Sequence, residues 1–471
     1  MKKGLFAVVV LLLVFAGLHL AQNAVIDLHL KGAYRAPEKN GWIFVHLEGP
    51  PDKIGFQHGY LLTEEIVEAQ KVVALEFEHD TGKDWKFFRD IAKTELWPHV
   101  DEEYRQELLG IVEGLNVRGV KMGIGDIVAL NAFPELNPYF VDWWKKTHGE
   151  TPMTAAATAD RCSAFVATGS YTTSGKIVMG HNNWTSYLDG QRWRIIFDIV
   201  PQQGHRILMD GFPGLIHSGD DFGVNSNGIM VTETTISRFS GWDPRGIPEF
   251  VRARKAMQHA GSIDEFARLM EEGNNGGYAN TWLVADRKTN EIASLELGLI
   301  NVNLRRSRDG YFCGANFPEN EKLTREETEF KVHDLSLSPN ARRVRWEQLM
   351  AEYKGKIDVK VGQLMLSDHY DSFARKIDPN ERTLCGHIEL SARGSLPWMP
   401  AYGPAGAVQA KVCDAAMAEK MSILARLGHP CGDPFIAEEH LTHHAEFNWQ
   451  KPFLKDMPSE PWTLFSIASK E

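Results

Sequence analysis

Cys162 stands where a small, polar stretch at residues 151–160 gives way to a run with the pattern of a β-strand. The first residue of a strand projects from the edge of its sheet, where a thiol can meet a substrate. If the bond between Arg161 and Cys162 were cut, Cys162 would carry a thiol and a free α-amino group. An α-amine has a pKa of about 7.7–8.0, which suits it to take the thiol proton near neutral pH. The position predicts a nucleophile and its base in one residue.

A return strand should place polar side chains opposite this thiol. Turn residues at 173–176 separate the strand after Cys162 from a second apolar run that leads to residues 180–184, a pattern typical of a hairpin. We expect His181 and Asn182 to lie across from Cys162 and to hydrogen-bond the thiolate, the amine or the substrate. The alternative is that both are ordinary polar residues at the end of a strand.

Helices and strands alternate in blocks around this hairpin. Apolar residues recur at helical spacing over residues 63–77 and 104–115, so the N-terminal third is expected to be mainly helical. A helical pair is expected at residues 248–259 and 262–272, the second opened by a capping box. Strand-like runs lie at residues 194–200, 206–209, 228–232, 281–285 and 292–297. Strands, then helices, then strands again predict packed α and β layers.

The chain begins with the layout of a secretory signal peptide. Two lysines precede an apolar run at residues 5–18, and small residues follow at 21–24. We expect residues 1–24 to be removed and the rest to be secreted or periplasmic. An uncleaved anchor is the alternative, although the run is short for a span of about 20 residues.

Export would place the cysteines in an oxidising compartment, where thiols tend to pair. The chain has five cysteines, so at least one is left over. Four of them lie in the second half: Cys313, Cys385, Cys413 and Cys431. Pairing among these would leave Cys162 free, but a paired Cys162 or five reduced cysteines also fits the count.

Charge and composition limit which kinds of partner and cofactor the chain is expected to bind. The formal net charge is -11 and no long run of Lys and Arg occurs, so we expect no nucleic acid partner. Acids and histidines at residues 438–446, which Asp368, His369 and Asp371 could join, raise the alternative of metal hydrolysis. Such a density is more often a solvated face, and no second motif completes a site. We therefore expect no metal and no other cofactor.

Several short motifs occur in order from Cys162 onwards. They begin with Cys-Ser-Ala-Phe at residues 162–165 and His-Asn-Asn-Trp at residues 181–184. Further blocks lie at residues 212–214, 218–222, 231–236, 278–282, 368–371, 390–393, 406–411 and 447–449. In this order they resemble the phospholipase B-like proteins, members of the N-terminal nucleophile hydrolase superfamily. Upstream, residues 55–59 and 110–114 are similar to the peptidase C45 acyltransferases, whose proenzymes cut themselves before a cysteine.

The resemblance implies an α+β fold, a four-layer αββα sandwich. It divides the chain after the signal into a mainly helical N-terminal segment, residues 25–161, and a catalytic chain, residues 162–471. It also implies self-cleavage between Arg161 and Cys162 and thioester chemistry at Cys162.

The resemblance assigns roles to further residues. Asn280 matches an asparagine that similar enzymes use beside the oxyanion, where an amide donor stabilises developing charge; an asparagine in a turn is the alternative. His181 and Asn182 match the motif opposite the nucleophile and complete the expected catalytic set. The candidates for substrate binding are Trp184, Glu233, Thr234 and Arg393. The related acyltransferases often carry an Arg and a nearby Asp in this motif. This sequence has neither, so it departs from their pattern at the residues that serve the amidase proton transfer.

The substrate that the resemblance implies is the fatty acyl ester of a phospholipid, with peripheral contact to a membrane surface allowed. An amidase or acyltransferase acting on N-acyl compounds or peptides would keep the nucleophile and change the substrate. A lipid-binding protein without catalysis is a third alternative. The sequence leaves the oligomeric state open.

Overall fold

The computed structural model describes residues 26–150, 162–220, 222–395 and 398–467. The predicted signal peptide, the linker and Arg161 therefore lie outside the described residues. No helix in the described ranges combines the length and the apolar character that a membrane crossing needs.

The described chain is a mixture of helices and strands, which confirms the α+β class. The α-helices are Pro51–Leu61, Thr63–Thr81, Trp85–Ile91, Glu102–Val117, Ile124–Asn131, Phe133–Glu135, Val141–Thr147, Tyr187–Gly190, Glu249–His259, Ile263–Glu271, Glu321–Glu327, Ser338–Glu352, Val359–Leu366, Ala415–Glu419 and Ala437–His443. The strands are β1 (Tyr34–Arg35), β2 (Ile43–Gly49), β3 (Ser163–Thr168), β4 (Val178–Ser186), β5 (Ile195–Pro201), β6 (Ile207–Gly211), β7 (Gly223–Asn225), β8 (Ile229–Thr235), β9 (Asn280–Asp286), β10 (Glu291–Leu297), β11 (Val302–Ser307), β12 (Gly310–Gly314), β13 (Tyr370–Asp371), β14 (Lys376–Ile377), β15 (Ala405–Asp414), β16 (Ser422–Leu427) and β17 (Thr463–Ser466).

Most strands belong to two large sheets. One has nine strands in the order β1-β2-β5-β6-β7-β8-β9-β10-β11, and the other has six in the order β12-β3-β4-β15-β16-β17. Strand β2 runs parallel to β5, whereas the other neighbouring pairs in these sheets are antiparallel. Strands β3 and β4 form the predicted hairpin within the smaller sheet, between β12 and β15.

Alternation along each strand sends apolar side chains to two different cores. On β3, Ala164 and Val166 pack between the two sheets, whereas Phe165 and Ala167 pack against the helices Ser338–Glu352 and Val359–Leu366. The larger sheet repeats this alternation, and its outer face packs against the N-terminal helices and the pair Glu249–His259 and Ile263–Glu271. The hairpin that follows Cys162 is therefore fixed from both sides.

The N-terminal third contains more than the predicted helices. The expected helices are present, but β1 and β2 were missed, and β2 pairs with β5 over seven residues. Its apolar side chains Ile43, Val45 and Leu47 share one core with residues on both sides of the linker. A cut at 161–162 would therefore divide a strand pairing and a hydrophobic core between two chains.

Two glycine motifs explain how the first helices meet. A Cβ atom on Gly55 would lie 1.8 Å from the backbone oxygen of Glu107, and one on Gly110 would lie 2.2 Å from that of Asp52. Gly59 and Gly114 show similar close approaches. The motifs at residues 55–59 and 110–114 are thus the crossing point of helices Pro51–Leu61 and Glu102–Val117, where only glycine permits the contact.

Candidate active site

Cys162 lies directly before β3, as predicted, and its side chain is buried, with 1% of the residue exposed. All five cysteines are described and all are free thiols. The backbone of Cys162 has a φ of 69°, in the left-handed region that non-glycine residues seldom adopt. The predicted nucleophile therefore sits in a strained backbone at the end of the linker.

Two other predicted residues converge at this thiol. The Sγ of Cys162, a ring nitrogen of His181 and a carboxylate oxygen of Glu233 lie within 4.8 Å of one another. Strand pairing explains the approach of His181, because Ala164, two residues after Cys162, is its partner across β3 and β4. Glu233 comes from β8 of the other sheet, so the cluster joins the two sheets.

Asn280 reaches the cluster through Glu233. With its NH2 group turned towards the neighbouring acceptors, Asn280 donates to Oε2 of Glu233 at 3.0 Å and to the backbone oxygen of Ala279 at 3.1 Å. The hydroxyl of Tyr278 donates to Oε1 of the same carboxylate at 3.2 Å. The structure thus connects Asn280 with Glu233, Cys162 and His181.

Asn182 lies elsewhere, because alternation along β4 turns it to the opposite face from His181. Its side-chain amide donates to the backbone oxygens of Leu366 at 2.8 Å and Leu384 at 2.9 Å. The amide beside the thiol belongs to Asn183, whose Oδ1 accepts from Cys162 Sγ at 4.0 Å. The sequence prediction was displaced by one residue, which on a strand exchanges the two faces.

Arg342 was missed by the sequence reasoning. This buried side chain of helix Ser338–Glu352 donates to the backbone oxygen of Cys162, to Ser163 Oγ at 3.0 Å and to Asn316 Oδ1 at 2.8 Å. Its guanidinium also lies 4.2 Å from the ring centre of Trp184. It holds the start of β3 through the backbone of Cys162 and the side chain of Ser163. No spacing signal distinguishes Arg342 from the neighbouring Arg343, which is why sequence alone could not find it.

The other predicted substrate-binding residues are dispersed. Trp184 is buried beneath Arg342, and Thr234 is buried against Gly314, where a Cβ atom would lie 2.4 Å from Thr234 Oγ1. The Arg393 side chain is 51% exposed, donates to the backbone oxygen of Ser336 and faces Glu381. Trp184 is thus connected with Cys162 through Arg342. Arg393 has no contact of this kind with Cys162 among the described residues.

Burial controls the protonation of the central groups. It raises the pKa of the Cys162 thiol well above its ordinary value, and the negative charge of Glu233 adds to the rise. Burial and the nearby Lys411 ammonium lower the pKa of His181 well below its ordinary value. In the intact chain the site therefore holds a neutral thiol beside a neutral imidazole. Neither ring nitrogen of His181 has a hydrogen-bond partner within the described ranges.

The arrangement contains the parts that acyl transfer needs. It places a thiol, an unprotonated imidazole and a carboxylate around one point, and the carboxylate accepts a hydrogen bond from the amide of Asn280. A family model described as Phospholipase B matches residues 78–303, a range that includes Cys162, His181, Glu233 and Asn280. This chain is a relative of the phospholipase B-like proteins. The predicted resemblance to the phospholipase B-like proteins is confirmed.

Similar proteins occur in an archaeon, a mammal and a snake. An uncharacterised protein of Archaeoglobus fulgidus is 24% identical over 55% of this chain and 43% of its own length. The putative phospholipase B-like 2 of Rattus norvegicus is 25% identical over 54% of this chain and 51% of its own. A phospholipase B of Crotalus adamanteus is 26% identical over 54% and 49%. The chain thus spans about half the length of these phospholipase B-like relatives. The family model ends at residue 303, so Arg342 lies outside the matched range.

Proposed function

We propose that this protein is a secreted, self-processing cysteine hydrolase of the N-terminal nucleophile type that cleaves acyl ester bonds of phospholipids. The observation that carries the proposal is the convergence of Cys162, His181 and Glu233 within 4.8 Å at the first residue after the linker. The kinship with phospholipase B-like proteins supports the ester substrate. The core between the two sheets, with helices packed on their outer faces, supports the four-layer αββα fold.

The precursor would act first on itself. The Cys162 sulfur adds to the Arg161 carbonyl carbon, and the carbon–nitrogen bond breaks as the amide nitrogen takes up a proton. The thiol supplies a proton to His181, and His181 returns it to the leaving nitrogen. Water then hydrolyses the thioester, which leaves a carboxylate on Arg161 and a thiol and an amine on Cys162. Because burial and Lys411 lower its pKa, His181 is unprotonated and can accept this proton.

Backbone strain at Cys162 favours this cut. A left-handed backbone costs a residue with a side chain about 1–2 kcal/mol. The φ of 69° is a torsion about the bond between the nitrogen and Cα of Cys162, and its definition includes the Arg161 carbonyl carbon. Cleavage removes that carbon from the torsion and releases the strain. The hydrogen bond from Arg342 to the Cys162 carbonyl meanwhile keeps the rest of the residue in place.

The mature site would use the new amine as its base. The Cys162 amine takes the thiol proton, and the sulfur attacks the ester carbonyl. Asn280 turns an N–H from the Ala279 backbone oxygen towards the oxyanion, while its bond to Glu233 holds the amide in place. The ammonium returns its proton to the leaving alcohol. Water then cleaves the thioester, releases the fatty acid and restores the thiol.

The two chains should remain together after the cut. Strand β2 stays paired with β5, and the N-terminal helices stay packed on the larger sheet. Burial of this apolar surface continues to hold the two chains together after one peptide bond is lost. We therefore expect the mature enzyme to be a noncovalent pair of chains.

Substrate assays with the purified proteins, processed where they cut themselves, test the proposal. We expect fatty acid release from phosphatidylcholine by the wild type, no release by Cys162→Ala and full release by Cys413→Ala. Faster turnover of N-acyl amino acids or peptides would instead favour the amidase or acyltransferase alternative. Binding of lipid without turnover of any of these compounds would show a lipid-binding protein and contradict the proposal.

A further inference from the structure

Four potential metal ligands meet at a second place, away from the predicted nucleophile. One donor atom from each of His369, Cys385, His387 and Cys431 lies within 4.8 Å of the others. Cys385 and His387 are buried, and His369 and Cys431 are partly buried. They come from three separate segments of the chain: the residue before β13, a loop after β14 and a turn after β16. The fold has thus gathered two thiols and two imidazoles that no local motif brings together.

The distances within this cluster suit a small tetrahedral ion. His387 Nε2 lies 3.4 Å from Cys385 Sγ and 3.5 Å from Cys431 Sγ. Zinc bonds of about 2.3 Å to sulfur and 2.0–2.1 Å to nitrogen place such donors about 3.6 Å apart in a tetrahedron. The observed spacings agree with that value.

The groups behind the donors are those that accompany bound metals. Nδ1 of His387 lies 2.8 Å from Glu389 Oε1, so the carboxylate fixes the tautomer that leaves Nε2 free as a ligand. The Tyr187 hydroxyl donates to the other oxygen of Glu389 at 2.6 Å. The backbone N–H of Asp433 donates to Cys431 Sγ at 3.4 Å, a contact that stabilises a thiolate.

His369 provides an independent indication. Its Nε2 is buried and has no hydrogen-bond partner among the residues that the structure describes. A buried ring nitrogen without a partner costs free energy unless it is a ligand. Its ring lies 5.0 Å from that of His387, in an edge-on arrangement.

We propose that His369, Cys385, His387 and Cys431 bind a structural zinc ion. Four protein donors complete a tetrahedral shell and leave no position for a substrate, so the ion acts on stability rather than on catalysis. Two thiolates and two imidazoles favour zinc over magnesium or calcium, which prefer oxygen ligands. All four donors lie beyond the family match at residues 78–303.

The proposed zinc would support the strand behind the candidate active site. Leu384, beside Cys385, accepts the hydrogen bond from Asn182 of β4. Gly386, between two of the donors, packs so closely on Trp184 that a Cβ atom there would lie 2.2 Å from the indole. Fixing residues 384–387 would therefore hold β4 from its outer face.

Metal analysis of the purified full-length chain tests the site. After reduction and removal of metal with a chelator, zinc should bind in an equimolar amount and raise the Tm. Cobalt in place of zinc should give the intense visible absorption of a tetrahedral thiolate complex. Cys385→Ser, Cys431→Ser and the milder His369→Asn should lose this spectrum or weaken it strongly.

Matched variants separate this site from general effects on folding. Cys413→Ser and Cys313→Ser remove thiols outside the cluster and should keep equimolar zinc and the cobalt spectrum. Equal loss in these controls would overturn the proposal, as would wild-type protein that is folded by circular dichroism, fully reduced and unable to bind zinc or cobalt. A disulfide between Cys385 and Cys431, found by peptide mass mapping of the natively isolated protein without bound metal, would also overturn it.

Discussion

The guanidinium of Arg342 donates to the backbone oxygen of Cys162, which lies 180 residues earlier in the chain. This contact joins the smaller sheet's outer helix to the residue at the predicted cleavage point. Because Arg342 also bonds Ser163 and Asn316, it fixes the direction in which the chain enters β3. It is a positioning residue for the proposed nucleophile.

Replacing Arg342 should slow self-cleavage. Lysine in Arg342→Lys keeps the charge but loses the fork that reaches three acceptors, so at least one buried acceptor loses its partner. We expect a loss of about 1–3 kcal/mol in the free energy of unfolding and slower conversion of the precursor. The half-exposed neighbour Arg343, which pairs with Glu347, provides the control. Equal processing rates in Arg342→Lys and Arg343→Lys would contradict the positioning role.

Two adjacent asparagines should have different effects. Asn183→Ala removes the acceptor of the thiol and should slow processing about fivefold, for a bond worth about 1 kcal/mol. Asn182→Ala leaves two buried backbone oxygens unpaired and should lower stability by about 1–3 kcal/mol. Pulse-chase processing and urea unfolding of both variants measure the two effects. Slow processing in Asn182→Ala together with lost stability in Asn183→Ala would contradict this account and return Asn182 to the catalytic role that the sequence predicted.

The pH profile of processing should depend on Glu233. Burial raises the pKa of the Cys162 thiol, and the Glu233 carboxylate raises it further because negative charge disfavours the thiolate. Glu233→Gln removes the second contribution, so the processing rate should reach half its plateau at a lower pH than in the wild type. Glu296→Gln alters another buried carboxylate and should leave the profile unchanged. An unshifted Glu233→Gln profile would show that this charge does not act on the thiol.

Asn280 should contribute to the transition state rather than to substrate binding. In processed protein, Asn280→Ala should reduce kcat by about 10²–10³-fold with little change in KM, as expected for the loss of an oxyanion donor. Asn225→Ala removes an asparagine of the same sheet that bonds the backbone oxygens of Met257 and Ala260. That control should lose stability and retain kcat. A rise in KM alone for Asn280→Ala would assign Asn280 to binding.

The sequence predicted local elements well because their signals are local. Strand β3 matches the predicted residues 163–168, and helix Ile263–Glu271 begins after Ser262, whose Oγ accepts from the Glu265 N–H as a cap. Strand β2 was missed although its residues alternate in polarity, because seven residues give a short signal beside the longer helices that follow. Its parallel pairing with β5 depends on contacts far apart in sequence.

The site was predicted in part for the same reason. Cys162, His181, Glu233 and Asn280 came from ordered motifs, and the structure gathers them. Arg342 joins them only through the packing of a distant helix, which no pattern in a single sequence reveals. The candidate metal donors show this more strongly. The sequence analysis expected no metal and set aside the acids and histidines at residues 438–446, whereas the fold gathers a different set of donors around His387.

The most direct test of the account is intact mass with N-terminal sequencing of wild-type protein and Cys162→Ala. We predict two noncovalently associated chains in the wild type, the second beginning at Cys162, and a single chain in Cys162→Ala. Cys413→Ala, which removes another buried thiol, should be processed like the wild type. A single uncut wild-type chain that hydrolyses substrate at full rate would contradict the account.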